Sequence, residues 1–205
     1  MSTNERAGRP VDHSKDQAIF AAARMLLFRH GPGGISVEAV ARLAEVSKVT
    51  VYRRYANREA LIDAVISQQA DHMAASLSIA PDSQSNVQAA LTAFGTRLLT
   101  FLLSEEHLDF MRALRGATEF PADAMRKIYR SGPQTTLDKL TDWMRRAHQA
   151  GLANFSQPER SAELLLGMLM GLDLVRALYG EPSQRDSQNI AQHVDWVVAA
   201  FLQLH

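Results

Sequence analysis

The sequence predicts an all-α fold, and three observations carry that expectation. Apolar residues recur three and four apart through most of the 205 residues. No stretch alternates apolar and polar residues as a half-buried strand does. Capping residues and glycine or proline breaks cut the chain into pieces of helical length.

Taken in order, residues 1–11 read as a basic arm carrying Arg6 and Gly8-Arg9-Pro10. Such an arm suits an A·T-rich minor groove, and equally a plain tail. Ser14-Lys15-Asp16-Gln17 has capping-box spacing, so a helix starts there. Ile19, Ala22, Ala23, Leu26 and Leu27 form its apolar face, and Gly31-Pro32-Gly33-Gly34 ends it. Ser36 is an N-cap, with Glu38 in the first turn and Val37, Val40, Ala41 and Ala44 at helical spacing. Glu45-Val46-Ser47 interrupts, and Ser47 caps a second short helix over Lys48–Tyr55. Asn57 caps a longer helix, roughly Arg58 to Leu77, with Leu61, Ala64, Val65 and Ile66 apolar.

Pro81-Asp82-Ser83-Gln84-Ser85 reads as a linker. Beyond it Val87, Leu91, Phe94, Leu98 and Phe101 mark one helix, and Leu108, Met111 and Leu114 the next. Phe120-Pro121 opens a short helix through Met125 and Ile128, and Ser131-Gly132-Pro133 closes it. Leu137, Leu140, Trp143, Met144 and Ala147 line a further helix ending at Gly151. Ser156-Gln157-Pro158-Glu159 is a second capping box, whose helix runs to Tyr179-Gly180-Glu181-Pro182. Ile190, Val194, Val197 and Phe201 mark the last helix.

Composition narrows the function. Hydrophobic residues make up 46% of the chain, enough for a core. There is no cysteine, which excludes disulfides and thiolate ligands. The seven histidines are scattered, with no paired ligand spacing, so no metal or other cofactor is expected. Glu105-Glu106-His107 reads as a solvated helix start. No nucleophile elbow, P-loop or dinucleotide fingerprint is present. The first twenty residues are polar, unlike a signal peptide, and the run Leu164–Leu172 is too short to span a bilayer. A cytoplasmic protein with no membrane partner is the expectation. Net charge is zero, yet residues 1–60 hold ten Lys and Arg against six Asp and Glu, so the remainder is acidic. The N-terminal end is the one that suits a polyanion.

The stretch Ser36–Leu61 carries the sharpest signal. Val51 and Tyr55 share one face of the second short helix and point inward. Lys48, Thr50, Tyr52, Arg53 and Arg54 are left outside, which suits a DNA major groove. Residues Ala44-Glu45-Val46-Ser47-Lys48-Val49-Thr50-Val51-Tyr52-Arg53-Arg54-Tyr55, followed by Asn57-Arg58-Glu59-Ala60-Leu61, resemble the helix-turn-helix of TetR-type transcriptional regulators. Glu45 stands where that family usually has glycine, and Val49 where glycine is frequent. The stretch Phe110–Gly151 resembles the AefR-type branch of its regulatory domains.

The resemblance implies a DNA-binding unit over residues 1–57, a connecting helix over about 58–79, and a regulatory and dimerisation unit over 80–205. It implies a homodimeric repressor on a double-stranded palindromic operator, released by a small apolar effector. Lys48, Tyr52 and Arg54 are then phosphate ligands, Thr50 and Arg53 reach base edges, and Val49 meets a thymine methyl. Ser36, Ser47 and Arg58 stand at helix N-termini that favour phosphate. Pairing through the last two long helices places Gly167, Gly171, Val194, Val197 and Phe201 at the seam. Gly167-Met168-Leu169-Met170-Gly171 has the small-xxx-small spacing that lets helices approach, within one subunit or between two. Phe94, Phe101, Met111, Trp143, Met144 and Met168 are candidates for lining an effector cavity, or for plain core. Two other readings are a sequence-tolerant architectural DNA binder and a C-terminal enzyme. The first requires uniformly high Lys and Arg, and the second a convergent polar constellation; the sequence offers neither.

Overall fold

The structure, a computed structural model, describes residues 13–116, 122–181 and 185–205. The basic arm, Phe120-Pro121 and Pro182 lie outside them. All regular structure among the described residues is helical.

The first helix, α1 (His13–Gly34), buries Ile19, Ala22, Ala23, Leu27 and Phe28. The glycine-proline run breaks it at Gly31, where φ is 68° and ψ −178°, and residues 32–34 add one turn. Helices α2 (Val37–Leu43) and α3 (Lys48–Tyr52) follow. The second of these stops three residues short of the expected Tyr55. Helix α4 (Arg58–Met73) ends a turn earlier than its apolar pattern suggests, and Ala75–Leu77 tighten into a 3₁₀ turn.

The chain continues through α5 (Gln84–Leu102), α6 (Glu105–Gly116), α7 (Ala122–Tyr129) and α8 (Thr135–Gln149). Ser131-Gly132-Pro133 does not end a helix, contrary to expectation. Arg130–Gln134 form a π-turn that carries α7 directly into α8. The missing Pro133 N–H is absorbed in that wider turn. Helix α9 (Pro158–Met170) starts with proline at its first position rather than with a Ser156 cap, and Glu159 pairs with Arg145 at 2.6 Å. The expected single helix to Tyr179 is also interrupted: Gly171 adopts φ 47°, and α10 (Asp173–Leu178) begins beyond it. The last helix is α11 (Ser187–Leu202), capped by Asp186.

The buried side chains form two clusters. One joins α1–α4 and takes in Phe110 from α6. The other joins the end of α4 with α5, α8, α9 and α11. Helix α5 packs closely on α9 and α11 at Gly95, where an added Cβ would lie 2.9 Å from both Leu169 and Val194. Trp143 Nε1 donates to the Ile79 carbonyl at 3.0 Å, and Arg146 to that of Leu77 at 3.2 Å. The residues just before the stretch read as a linker are thus held against α8, and Ser83 within that stretch is the N-cap of α5.

The expected seam needs correction. Val194, Val197 and Phe201 are fully buried among their own subunit's helices, because an apolar stripe does not reveal which partner covers it. Gly167 and Gly171 are open, and a Cβ at either meets nothing within 4 Å. The outward apolar side chains here are Leu164, Leu172, Val175, Leu178, Tyr179 and Trp196.

Candidate nucleic-acid interface and effector cavity

Helices α2 and α3 are fixed by their ends. Ser36 Oγ accepts from Ala39 N at 3.1 Å, and Ser47 Oγ accepts from Thr50 N at 3.2 Å. Each bond satisfies one of the N–H groups a helix start leaves orphaned. Between them Val46 N donates to Ala41 O at 2.9 Å and Glu45 N to Arg42 O at 3.3 Å. This is the paired bonding that closes a helix on a left-handed residue. Glu45 is that residue, at φ 53°. A glutamate thus occupies a conformation that favours glycine, the residue the resembled family usually has here, while the turn keeps its hydrogen bonds.

Val51 is fully buried beneath α3. Ser47, Lys48, Val49, Tyr52 and Arg53 are exposed, and Thr50 is half-buried with its hydroxyl 2.9 Å from that of Ser47. Val49 exposes 69% and Tyr52 52% of its surface, beside the exposed Lys48 and Arg53. Lys48 pairs with Glu38 at 2.7 Å, and its hydrogen bond holds that carboxyl below its ordinary range. Both groups face water, so the pair is easily exchanged for a phosphate.

Two cations depart from the outward reading. Arg54 donates through Nε to Asp16 of α1 and through Nη1 to the Thr50 carbonyl at 3.1 Å. Its charge is spent bracing α3 against α1. Arg58 donates to the Pro32 carbonyl, and its Nε is buried without a partner. It braces α4 against the kinked end of α1. Neither tie is visible in local spacing, since the partners are 38 and 26 residues away.

A second feature lies between the two clusters. A cavity of about 410 Å³ is walled by Phe28 of α1, Ile66, Ala70 and Met73 of α4, and Phe101 and Leu102 of α5. Helix α6 adds His107, Phe110, Met111 and Leu114. Met125, Ile128 and Tyr129 of α7, with Gly132 and Pro133 of the π-turn, complete most of the remainder. Of the expected lining residues, Phe101 and Met111 are here. Phe94, Trp143 and Met144 are instead fully buried core, and Met168 packs against that core.

His107 was legible only as a solvated helix start, and the structure corrects this. Its ring lies 4.6 Å from the Phe101 ring centroid and 6.3 Å from that of Phe110. Burial pushes its pKa down to about 4, and Nδ1 is buried without a partner. The available signal was the aromatic three residues on, at Phe110, which places both rings on one helix face. Phe28 forms the roof: its ring meets Phe101 edge-on at 5.7 Å and Phe110 at 5.2 Å. Beside it Arg24 of α1 pairs with Glu106 of α6 at 2.8 Å. No single helix among the described residues is long and apolar enough to cross a membrane.

Comparison with known proteins agrees with this geometry. Residues 19–65 match the bacterial regulatory proteins of the tetR family. Residues 89–204 match the C-terminal domain of AefR-like transcriptional repressors. YdeS, an uncharacterised HTH-type transcriptional regulator of Bacillus subtilis, is 36% identical over 102 residues, spanning 49% of this chain and 48% of the relative. The chain therefore covers about half of that relative. YvkB of the same organism, also an uncharacterised HTH-type regulator, is 22% identical over 81% of this chain and 85% of its own length. A crystal structure of a TetR-family regulator from Mesorhizobium loti superposes with TM-score 0.72 at 26% identity, covering 96% of this chain and 98% of that one. A TetR regulator from Agrobacterium tumefaciens shares the fold with TM-score 0.72 at 22% identity, over 96% and 95% of the two chains. The chain belongs to the TetR family of DNA-binding transcriptional regulators, with an AefR-like C-terminal domain.

Proposed function

We propose that this chain is a cytoplasmic homodimeric repressor that leaves a palindromic operator when a small, largely apolar effector enters the cavity. The observation that carries the reading is the mixed origin of the cavity wall. Phe28 belongs to the cluster beneath the recognition helix, and α4 runs from that cluster into the other. An occupant that fits one placement of these side chains better than another shifts the balance between them. The volume lies within the usual range for small-ligand sites, about 300–1,000 Å³.

On the operator, Lys48 and Tyr52 contact phosphates, Thr50 and Arg53 reach base edges, and Val49 meets a thymine methyl. Ser36 and Ser47 present capped helix starts to the backbone. Arg54 and Arg58 act one step behind, by holding α3 and α4 in register. The dimer seam uses the open faces of α9, α10 and α11, with Leu164, Leu172, Val175, Leu178, Tyr179 and Trp196 as its apolar part. The open Gly167 and Gly171 let the partner approach closely. A two-fold dimer then sets its α3 helices about 34 Å apart, one turn of DNA.

The test joins ligand and operator in one titration. Apolar compounds are screened by thermal shift, and operator affinity is measured with and without each hit. A coupling of about 1–3 kcal/mol weakens the operator roughly 5–150-fold, and operator must weaken the ligand by the same factor. Met111→Trp, which narrows the cavity, should abolish the shift and leave operator binding intact. Tight hits with no mutual effect would leave a DNA binder without an effector. Sedimentation of a Leu172→Glu, Trp196→Glu double variant checks the seam, and an intact dimer would place it elsewhere.

A further inference from the structure

The cavity has a charged neighbour. A groove of about 1050 Å³ lies along α1, α4, α5 and α6, and Gln69, Met73 and Phe101 belong to both walls. The two spaces therefore meet at these three side chains, one of which is the adaptable methionine. Arg97 lines the groove and lies one helical turn before Phe101 on α5. Its Nη1 is buried and has no hydrogen-bond partner.

A guanidinium is a cation with five donors in a planar fork, and a buried donor left unpaired is costly. The other formal charges in the groove are matched. Arg24 holds Glu106, and Asp71 holds Lys139; His72 adds an imidazole. Arg97 is thus the groove's cation with spare capacity among the described residues. The cavity beyond Phe101 is the opposite environment: no Lys, Arg, Asp or Glu is among its described wall residues. An anionic group there would be buried without a counter-ion.

Resting on the ligand-responsive reading above, we propose that the effector is an amphiphile with one carboxylate head. Its apolar part fills the cavity, and its head stays in the groove on Arg97. The fork of Arg97 matches a carboxylate in shape as well as charge. The crossing point at Gln69, Met73 and Phe101 sets the distance between head and tail.

The test compares dodecanoate with dodecanol, which differ only at the head, both below their aggregation limits. Each displaces N-phenylnaphthylamine, a neutral fluorescent probe of apolar cavities, from the wild-type chain, Arg97→Gln and Arg97→Lys. The probe should bind all three alike, showing the cavity intact. Dodecanoate should displace it at about a tenfold lower concentration than dodecanol from the wild type, the size of one charge-assisted hydrogen bond. Arg97→Gln should erase that preference. Arg97→Lys, which keeps charge without the fork, should keep part of it. Dodecanol displacing as well as dodecanoate, or a preference that survives in Arg97→Gln, overturns the proposal. Operator titration of the same samples separates the two readings. If dodecanol releases the operator as well as dodecanoate does, the effector cavity stands and the carboxylate head falls. A probe that binds no form of the chain removes both.

Discussion

Replacing Gly31 by alanine tests the join between α1 and α6. Gly31 adopts φ 68°, ψ −178°, a region reserved almost wholly for glycine. A Cβ at this position lies 2.6 Å from the Cβ of Ala113 on α6. Two separable costs follow. The backbone conformation costs a residue with a side chain about 1–3 kcal/mol. Forcing two methyl groups into that space costs about 1–3 kcal/mol more, unless the helices move apart. Gly31→Ala should therefore lose roughly 2–6 kcal/mol, a large share of the 5–15 kcal/mol that commonly holds a folded chain. Ala113→Gly alone should lose about 1 kcal/mol, the usual penalty of glycine inside a helix. In the double variant the collision disappears and the backbone cost remains. The two substitutions should then couple favourably by about 1–3 kcal/mol. Urea unfolding of all four chains measures this, provided the slope is unchanged among them. Additivity within about 0.5 kcal/mol would mean that α1 and α6 do not approach as described.

Glu45→Gly removes a side chain from a left-handed residue, which is worth about 1–2 kcal/mol. The freer unfolded chain takes back about 0.5–1 kcal/mol, so the urea midpoint should rise slightly with operator affinity unchanged. A lower midpoint would contradict the strain at φ 53°. His107 should make stability depend on pH. Burial holds its pKa near 4 against an ordinary 6.5, so the unfolded chain binds the proton more readily. Its neutral form contributes fully above pH 6.5, and stability is lost as pH falls toward 4, by up to roughly 3 kcal/mol. His107→Gln should flatten that slope; a slope that persists belongs to another group. Lys48→Ala should weaken binding to specific and random DNA alike and reduce the salt dependence by about one ion. Arg53→Ala should instead cost about 1–3 kcal/mol at one base position, and equal losses on both DNAs would remove it from base reading.

The parts readable from sequence are those decided within a few residues. Ser36, Ser47 and Asn57 cap where their spacing says, whereas Ser83, read only as part of a linker, caps α5. The inward stripe at Val87, Leu91, Phe94 and Leu98 is buried as its period requires. The left-handed position at Glu45 was legible because the resembled motif usually has glycine there. What escaped depends on distant partners. Nothing near Arg54 announces Asp16, so a side chain that reads as outward is bound inward. Periodicity marks Val194, Val197 and Phe201 as apolar, but it does not say that the cover is α5 and α9 of the same subunit. The cavity escaped for a related reason. Its wall gathers single residues from many helices, while the largest apolar side chains, such as Trp143 and Phe94, are used to fill the core. Ser131-Gly132-Pro133 reads as a stop because proline usually ends a helix. Here the extra residue of a π-turn absorbs it, a choice made by packing against α4.

Phe28 bears on how such a chain diversifies. One ring is at once part of the core beneath the DNA-reading helices and part of the cavity roof. The residues proposed to meet bases lie on α3 and its C-cap, and the cavity wall contains none of them. Under the proposed function, wall positions such as Met111, Leu114 or Met125 can therefore drift toward a new chemical stimulus while the genomic address stays the same. Substitutions on α3 can re-address the chain and keep its stimulus. Phe28 is exempt from that freedom, because any replacement is judged by both clusters together. A lineage built on this plan can exchange inputs and outputs almost independently, with one aromatic position as the fixed point between them.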